Sequence, residues 1–310
     1  MRIYLDVLRE VLNSSFDRKS RAELDGKKVF ARTKFGREMR FDLPEKEFPI
    51  VTTKPVSFRM VALELAAFIA ATENVNDLLA VKVPIWKGNA ESEWWKKHRE
   101  YRGHLGRIYG VEFRHFPSPW SPTGEVDQIA WIVNMLRTNP DDRRMILTAW
   151  NPASVQGNKA CLPPCHIMSH FDVIAGRLHL FMYQRSCDML LGVPFNTASY
   201  RLLQELIAQV AGFPSGEFIH YLGDHHIYEN HFEAVEEQPE RKPLPLPKLW
   251  INPEIKEIDD FRLDKMLERI KTEEEFISGR RKPQTIIDDY VRLIDYNHYP
   301  KLTHDQRMAV

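Results

Sequence analysis

Apolar positions Tyr4, Leu5, Leu8, Val11 and Leu12 recur at close to helical spacing, so the pattern predicts that the chain opens with a helix. Residues 14–36 are polar and basic and read as a loop followed by a strand. From Phe58 to Thr72 the run FRMVALELAAFIAAT is apolar on every face, which predicts a largely buried helix with one anomaly inside it, Glu64. Residues 86–106 turn polar (WKGNAESEWWKKHREYRGHLG) and read as a lid-like insertion. Residues 126–137 predict an amphipathic helix stopped by Asn139-Pro140. Residues 145–150 and 177–184 read as buried strands, and 198–211 as a helix with Gly212 at its end. Prolines keep 242–248 extended, and 254–292 is charged, helical in part and expected at the periphery. Strands and helices mix without βαβ regularity and without internal repeats. The expected architecture is therefore α+β, a large mixed β-sheet flanked by helices in a single domain over 1–310.

Composition changes this picture little. With 310 residues, 43% of them hydrophobic, a sizeable core is available, and a net charge of zero supplies no global field for nucleic acid. No apolar run approaches the roughly 20 residues of a membrane span. The opening MRIYLDVLREVL lacks the apolar centre of a signal peptide. Three cysteines without a paired framework fit a reducing cytosol, of a host cell if the source is viral. The expectation is a cytoplasmic protein with no membrane or nucleic-acid partner.

The candidate chemistry gathers between Cys161 and His231. Cys165 follows two stiffening prolines and precedes His166, and a thiol nucleophile needs a nearby Arg or His⁺ to depress its pKa. Most cysteines are inert core residues, which is the bland reading of the same motif. Cys161, Cys165, His166 and His170 suggest zinc, but no second tight ligand pair follows, so no metal is expected. Arg143 and Arg144 open a strand and suit a phosphate, or simply answer Asp141 and Asp142. Arg185 ends an apolar strand beside Ser186, and a buried guanidinium wants an anion. Asn196, just ahead of the predicted helix, is either an N-cap or a carboxamide that reads the O4/N3–H edge of uracil. Glu64 is a proton shuttle of raised pKa or a structural hydrogen-bonding group. His226 and Tyr228 alternate along GDHHIY and so share a face, where they suit a sugar hydroxyl, while His225 points away. A polar core network is the alternative for these histidines.

Taken together, FGREMRFDL (35–43), FPIVTTK (48–54), LGRIYG (105–110), DDRRMILTAWN (141–151), LPPCH (162–166), YQRSCDMLLGVPFNTASY (183–200), GDHHIYENH (223–231), PLPKLWI (245–251) and the tail RMAV (307–310) resemble the thymidylate synthase family. The resemblance covers most of the chain, with insertions near 87–104 and 254–290. It implies that the Cys165 thiolate adds to C6 of a pyrimidine nucleotide and that C5 then attacks the methylene carried by 5,10-methylenetetrahydrofolate. It also implies that Glu64 and ordered water relay protons at O4, and that Tyr109 orders the water that removes the C5 proton. Arg185, Ser186, Arg143 and Arg144 would hold the 5′-phosphate, with Arg143 and Arg144 reaching across a homodimer interface. Asn196 would read uracil, and His226 and Tyr228 the ribose. Asp188, with Gly192 beside it, would hold the pterin, and Trp86, Leu162 and Val310 would cover the folate.

The sequence departs from the family in three places. Its short glycine- and threonine-rich phosphate loop is replaced by SRAELDGKKVFARTKFG, leaving Arg21 or Arg32 to supply a phosphate contact. The helix around Glu64 (ELAAFIAATEN) lacks the usual Trp and glycine-acid turn, and WKGNAES after Trp86 lacks a second aromatic. Thymidylate and dihydrofolate are the first expectation. The alternative is a phage-type dUMP hydroxymethylase that captures water instead of hydride. A non-catalytic nucleotide- or RNA-binding relative is the outsider.

Overall fold

The computed structural model describes residues 1–308 except Asp25 and Glu45, and of Arg21 the backbone only. Its centre is a six-stranded sheet. The strands are β1 (Asp17–Leu24), β2 (Lys27–Phe41), β3 (Ile146–Thr148), β4 (His166–Ile174), β5 (Arg177–Asp188) and β6 (Ser215–Tyr228), in the order β1-β2-β6-β5-β4-β3. Every pairing is antiparallel except β5 with β6, whose parallel register (Met182 opposite His220, Asp188 opposite His226) requires a crossover. A twenty-residue helix, Gly192–Ala211, supplies it. This is the mixed sheet of an α+β domain that the pattern predicts.

Alternation decides which face is covered. On β5, Leu178, Leu180, Met182 and Gln184 point inward, as do Phe218, His220 and Leu222 on β6. The opposite face carries the half-buried Phe181, Tyr183, Ile219 and Tyr221. Four helices matter for the site: α1 (Arg2–Leu12), α2 (Phe58–Ile69), α3 (Tyr109–Arg114) and the crossover helix, α4 (Gly192–Ala211). Helix α2 starts at the Ser57 cap, and from Val61 to Ile69 every residue is buried, Glu64 included. Gly110 lets α3 approach it: a Cβ there would stand 2.3 Å from the Phe68 carbonyl oxygen, so only glycine brings Tyr109 this close.

Several expectations are corrected. Residues 17–24 are not loop but strand β1, hairpinned onto β2. Helix α4 begins at Gly192 rather than 198, so Asn196 sits inside its second turn and is not an N-cap. The region 254–290 is not simply peripheral. Phe261, Leu263, Met266, Ile286 and Ile287 are buried, and ion pairs Arg59–Asp288 and Arg114–Asp259 tie it to α2 and α3. The segment 87–104, expected to be an insertion, is anchored by Trp95, which is 1% exposed and donates to the His104 carbonyl at 2.6 Å. Among the described residues no helix is long and apolar enough to cross a membrane.

Candidate active site

Cys165 stands just ahead of β4, half-buried, at the C-terminal end of the parallel pair. The Arg185 backbone N–H donates to its carbonyl at 2.7 Å, which locks the loop onto β5. The Arg185 side chain lies along the same loop, donating to the carbonyls of Pro164 (2.7 Å) and Pro163 (3.2 Å), with its guanidinium 5.3 Å from the Trp150 ring centroid. The Tyr109 hydroxyl accepts from the Cys165 N–H at 2.8 Å, leaving its own proton free for the thiol. Burial pushes the Cys165 thiol up, against the opposing pull of Arg185, Tyr109 and Ser186. The thiol is therefore protonated at rest, with the cation and donors needed to stabilise a thiolate already in contact.

His166 does not supply that cation. It stacks on Tyr109 (centroids 3.9 Å apart) and shares a proton with the Tyr200 hydroxyl at 2.7 Å. Burial pushes it down to about 3, so the ring is neutral at physiological pH. Cys161 is buried, its thiol raised to about 12 by burial, and His170 turns to the Arg143 carbonyl, so the four residues that suggested zinc do not converge.

Glu64 closes the apolar side. It is 7% exposed and accepts from Trp86 Nε1 at 2.7 Å. Burial raises its carboxyl to about 7, with the Trp86 bond opposing. Trp86 meets Tyr109 edge-on at 6.0 Å, so Glu64, Trp86, Tyr109 and Cys165 form one connected wall. Leu162 is half-buried against the core on the same loop as Cys165.

Asp188 ends β5 and accepts from the backbone N–H groups of Leu190 (3.0 Å) and Leu191 (3.2 Å), which shapes the entry to α4. Gly192 follows, where a Cβ would lie 3.4 Å from the Asp188 Cβ. Asn196 projects from α4 and its Oδ1 accepts from Gln184 Nε2 at 3.0 Å. His226 and Tyr228 do share a face, with ring centroids 5.0 Å apart. His226 Nδ1 is 2.9 Å from Asp224 Oδ1. His225 packs inward against the Gly223 carbonyl.

Arg143 and Arg144 are exposed at the start of β3 and touch none of these groups. Arg144 grips Asp142 through Nε and Nη2 and holds that carboxyl down at about 2. Arg32, one of the two candidates for a phosphate contact, donates to Asp17 and the Leu12 carbonyl and lies over the Phe232 ring. The Arg21 side chain and Val310 lie outside the described residues. The cation beside His226 is Arg18 on β1, paired with Asp224, which pattern reading missed. The tail nonetheless returns to the site: Asn230 Nδ2 and His231 Nε2 hold the Arg307 carbonyl at 3.1 and 2.9 Å. Gln184, His220 and Lys54 were also missed. The first two carried a signal, a polar residue in the inward register of an apolar strand. Lys54 is 5% exposed, and burial lowers it to about 8 against the pull of Asp188.

The arrangement offers a thiol with an adjacent cation, a fixed carboxamide, and a buried carboxyl that gains or loses a proton near neutrality. That set suits nucleophilic addition to an electron-poor ring whose developing charge must be held. The thymidylate synthase family model matches residues 2–274, most of the chain, and the chain belongs to the thymidylate synthase family.

Proposed function

We propose that this protein methylates C5 of dUMP, giving thymidylate. The family supports folate-dependent one-carbon transfer to C5 of dUMP, and the methyl outcome is our reading. The observation that carries it is the apolar wall in which Trp86 is buried on Glu64, together with the tail held at the Arg307 carbonyl. A dry pocket favours hydride transfer over capture of water.

In this reading Cys165 Sγ bonds to C6 of the pyrimidine, and the electron pair moves through C5 to O4. The Asn196 amide N–H meets the charge at O4, an interaction of the kind worth about a hundredfold in rate. Glu64 moves a proton near O4, and Tyr109 orders the water that takes the C5 proton. Once C5 is bonded to the one-carbon unit and the folate amine has left, hydride added to that carbon would expel Cys165 from C6 as the thiolate and restore the C5–C6 double bond. Arg185 and Ser186, with Arg143 and Arg144 of a second copy, hold the 5′-phosphate, and His226 and Tyr228 hold the sugar. The apolar ring of Trp86, the side chain of Leu162 and the Asp188 carboxylate fit a flat, N–H-bearing pterin, with Gly192 giving room beside it. Reduced folate supplies the one-carbon unit and the hydride.

A homodimer is part of the proposal. The uncovered sheet face with Phe181, Tyr183, Ile219 and Tyr221 is too apolar for solvent and suits a second copy. The domain spans 1–310, with 87–104 and 254–290 as insertions, and the compartment is the cytoplasm. One feature favours the hydroxymethyl alternative: hairpin β1–β2, which stands where the family has a short phosphate loop. Mixing protein, dUMP and methylenetetrahydrofolate decides between them. Dihydrofolate absorbance with a methylated nucleotide supports methylation. A product one oxygen heavier without dihydrofolate makes the enzyme a hydroxymethylase, and no covalent adduct with 5-fluoro-dUMP leaves only a binding protein.

A further inference from the structure

Behind Asn196 lies a buried chain of polar groups that the reaction itself does not use. Gln184, His220 and Thr197 are each at most 1% exposed. Gln184 Nε2 donates to the Ser186 carbonyl at 3.0 Å, and a carbonyl can only accept, so this contact decides which end of the Gln184 amide faces α4. The second Nε2 proton goes to Asn196 Oδ1 at 3.0 Å. Gln184 Oε1 lies 2.9 Å from His220 Nε2 and can only accept, so the ring carries its proton there. His220 Nδ1 then accepts from the Thr197 hydroxyl at 3.0 Å, a proton Thr197 shares with the Val193 carbonyl at 2.8 Å.

Each link forbids the flip of the next. Were Asn196 reversed, its Nδ2 would face the Gln184 NH₂, donor against donor. Were Gln184 reversed as well, its NH₂ would face the His220 N–H and its oxygen the Ser186 carbonyl. Asn196 is thus held with Oδ1 turned inward, one lone pair spare, and the Nδ2 donors unclaimed by any described residue. That end-on arrangement matches O4 (acceptor) and N3–H (donor) of uracil. Cytosine, with a donor at N4 and an acceptor at N3, needs the reversed amide.

We propose that His220, acting through Gln184, is a positioning residue that locks the Asn196 carboxamide in its uracil-reading orientation and so excludes cytosine nucleotides. The inference rests on the proposed role of Asn196 as the base reader.

The test measures dissociation constants for dUMP and dCMP by calorimetry without folate, so that no chemistry intervenes. The wild type is expected to favour dUMP. His220→Phe removes the donor at similar size and lowers the dUMP-to-dCMP preference about tenfold, the worth of one buried hydrogen bond. His220→Gln, which restores an N–H donor, recovers most of it. Gln184→Glu presents acceptors to both neighbours, turns Asn196 Nδ2 toward it, and moves preference toward dCMP; it carries the test if His220→Phe does not fold. A discriminating wild type whose variants keep the ratio, or lose both nucleotides in step, overturns the relay. A wild type that binds both nucleotides equally removes the base-reading role of Asn196 and the relay with it.

Discussion

Replacing Glu64 with Gln should separate the structural and chemical roles of this carboxyl. Gln keeps an oxygen for Trp86 Nε1, so the 2.7 Å hydrogen bond survives, and only the titration disappears. Burial raises the carboxyl from 4.5 to about 7 in the folded protein. A raised folded-state pKa means that the group's contribution to stability is full below the unfolded value and is lost as pH rises through about 7. At about 1.4 kcal/mol per pH unit, the gap amounts to about 3 kcal/mol. The difference in unfolding free energy between E64Q and wild type should therefore move by about 2.5 kcal/mol in favour of E64Q between pH 5 and pH 8.5, the rest of the gap lying below pH 5. Any constant cost of burying the new amide N–H cancels in that difference. Urea unfolding followed by tryptophan fluorescence measures it, and turnover of dUMP should fall about a hundredfold or more in the same variant. Parallel stability profiles for the two proteins would refute the buried, proton-exchanging carboxyl. Near-normal turnover would refute its part in the chemistry.

Cys165→Ser should abolish turnover and adduct formation while dUMP still binds, because Arg185 and Ser186 keep their places; a variant with near-normal rate removes the thiol from the mechanism. Asn196→Asp should shift preference toward dCMP, and unchanged discrimination in product analysis would reduce Asn196 to a helix residue. Tyr221→Glu places a charge on the uncovered sheet face beside Phe181 and Tyr183. Sedimentation should find the wild type dimeric and Y221E monomeric, and a dimeric variant would move the interface elsewhere.

Periodicity and motif spacing by themselves indicated the main helices, the mixed sheet and the candidate reactive groups. These are local properties: the apolar run around Glu64, the alternation through LHLFMYQR and the proline-stiffened Cys165 are each visible within one element. Element ends were less legible. GVPFN looks like turn before helix, yet Asp188 caps the backbone ahead of it, and α4 starts six residues earlier than its apolar pattern. Strand β1 was read as loop because its polar residues carry no apolar alternation, while β2, the strand expected after it, is held by β6 in a long-range pairing that no window contains. Only the tertiary structure decided protonation and orientation. His166 follows Cys165 in sequence and suggests a cation, but stacking under Tyr109 and complete burial leave it neutral. The carboxamide of Asn196 could face either way until Gln184, His220 and the Ser186 carbonyl, drawn from two strands, fix it. Composition states which groups are present. Desolvation and the direction of each hydrogen bond depend on neighbours brought in from far along the chain, and these set what the groups can do.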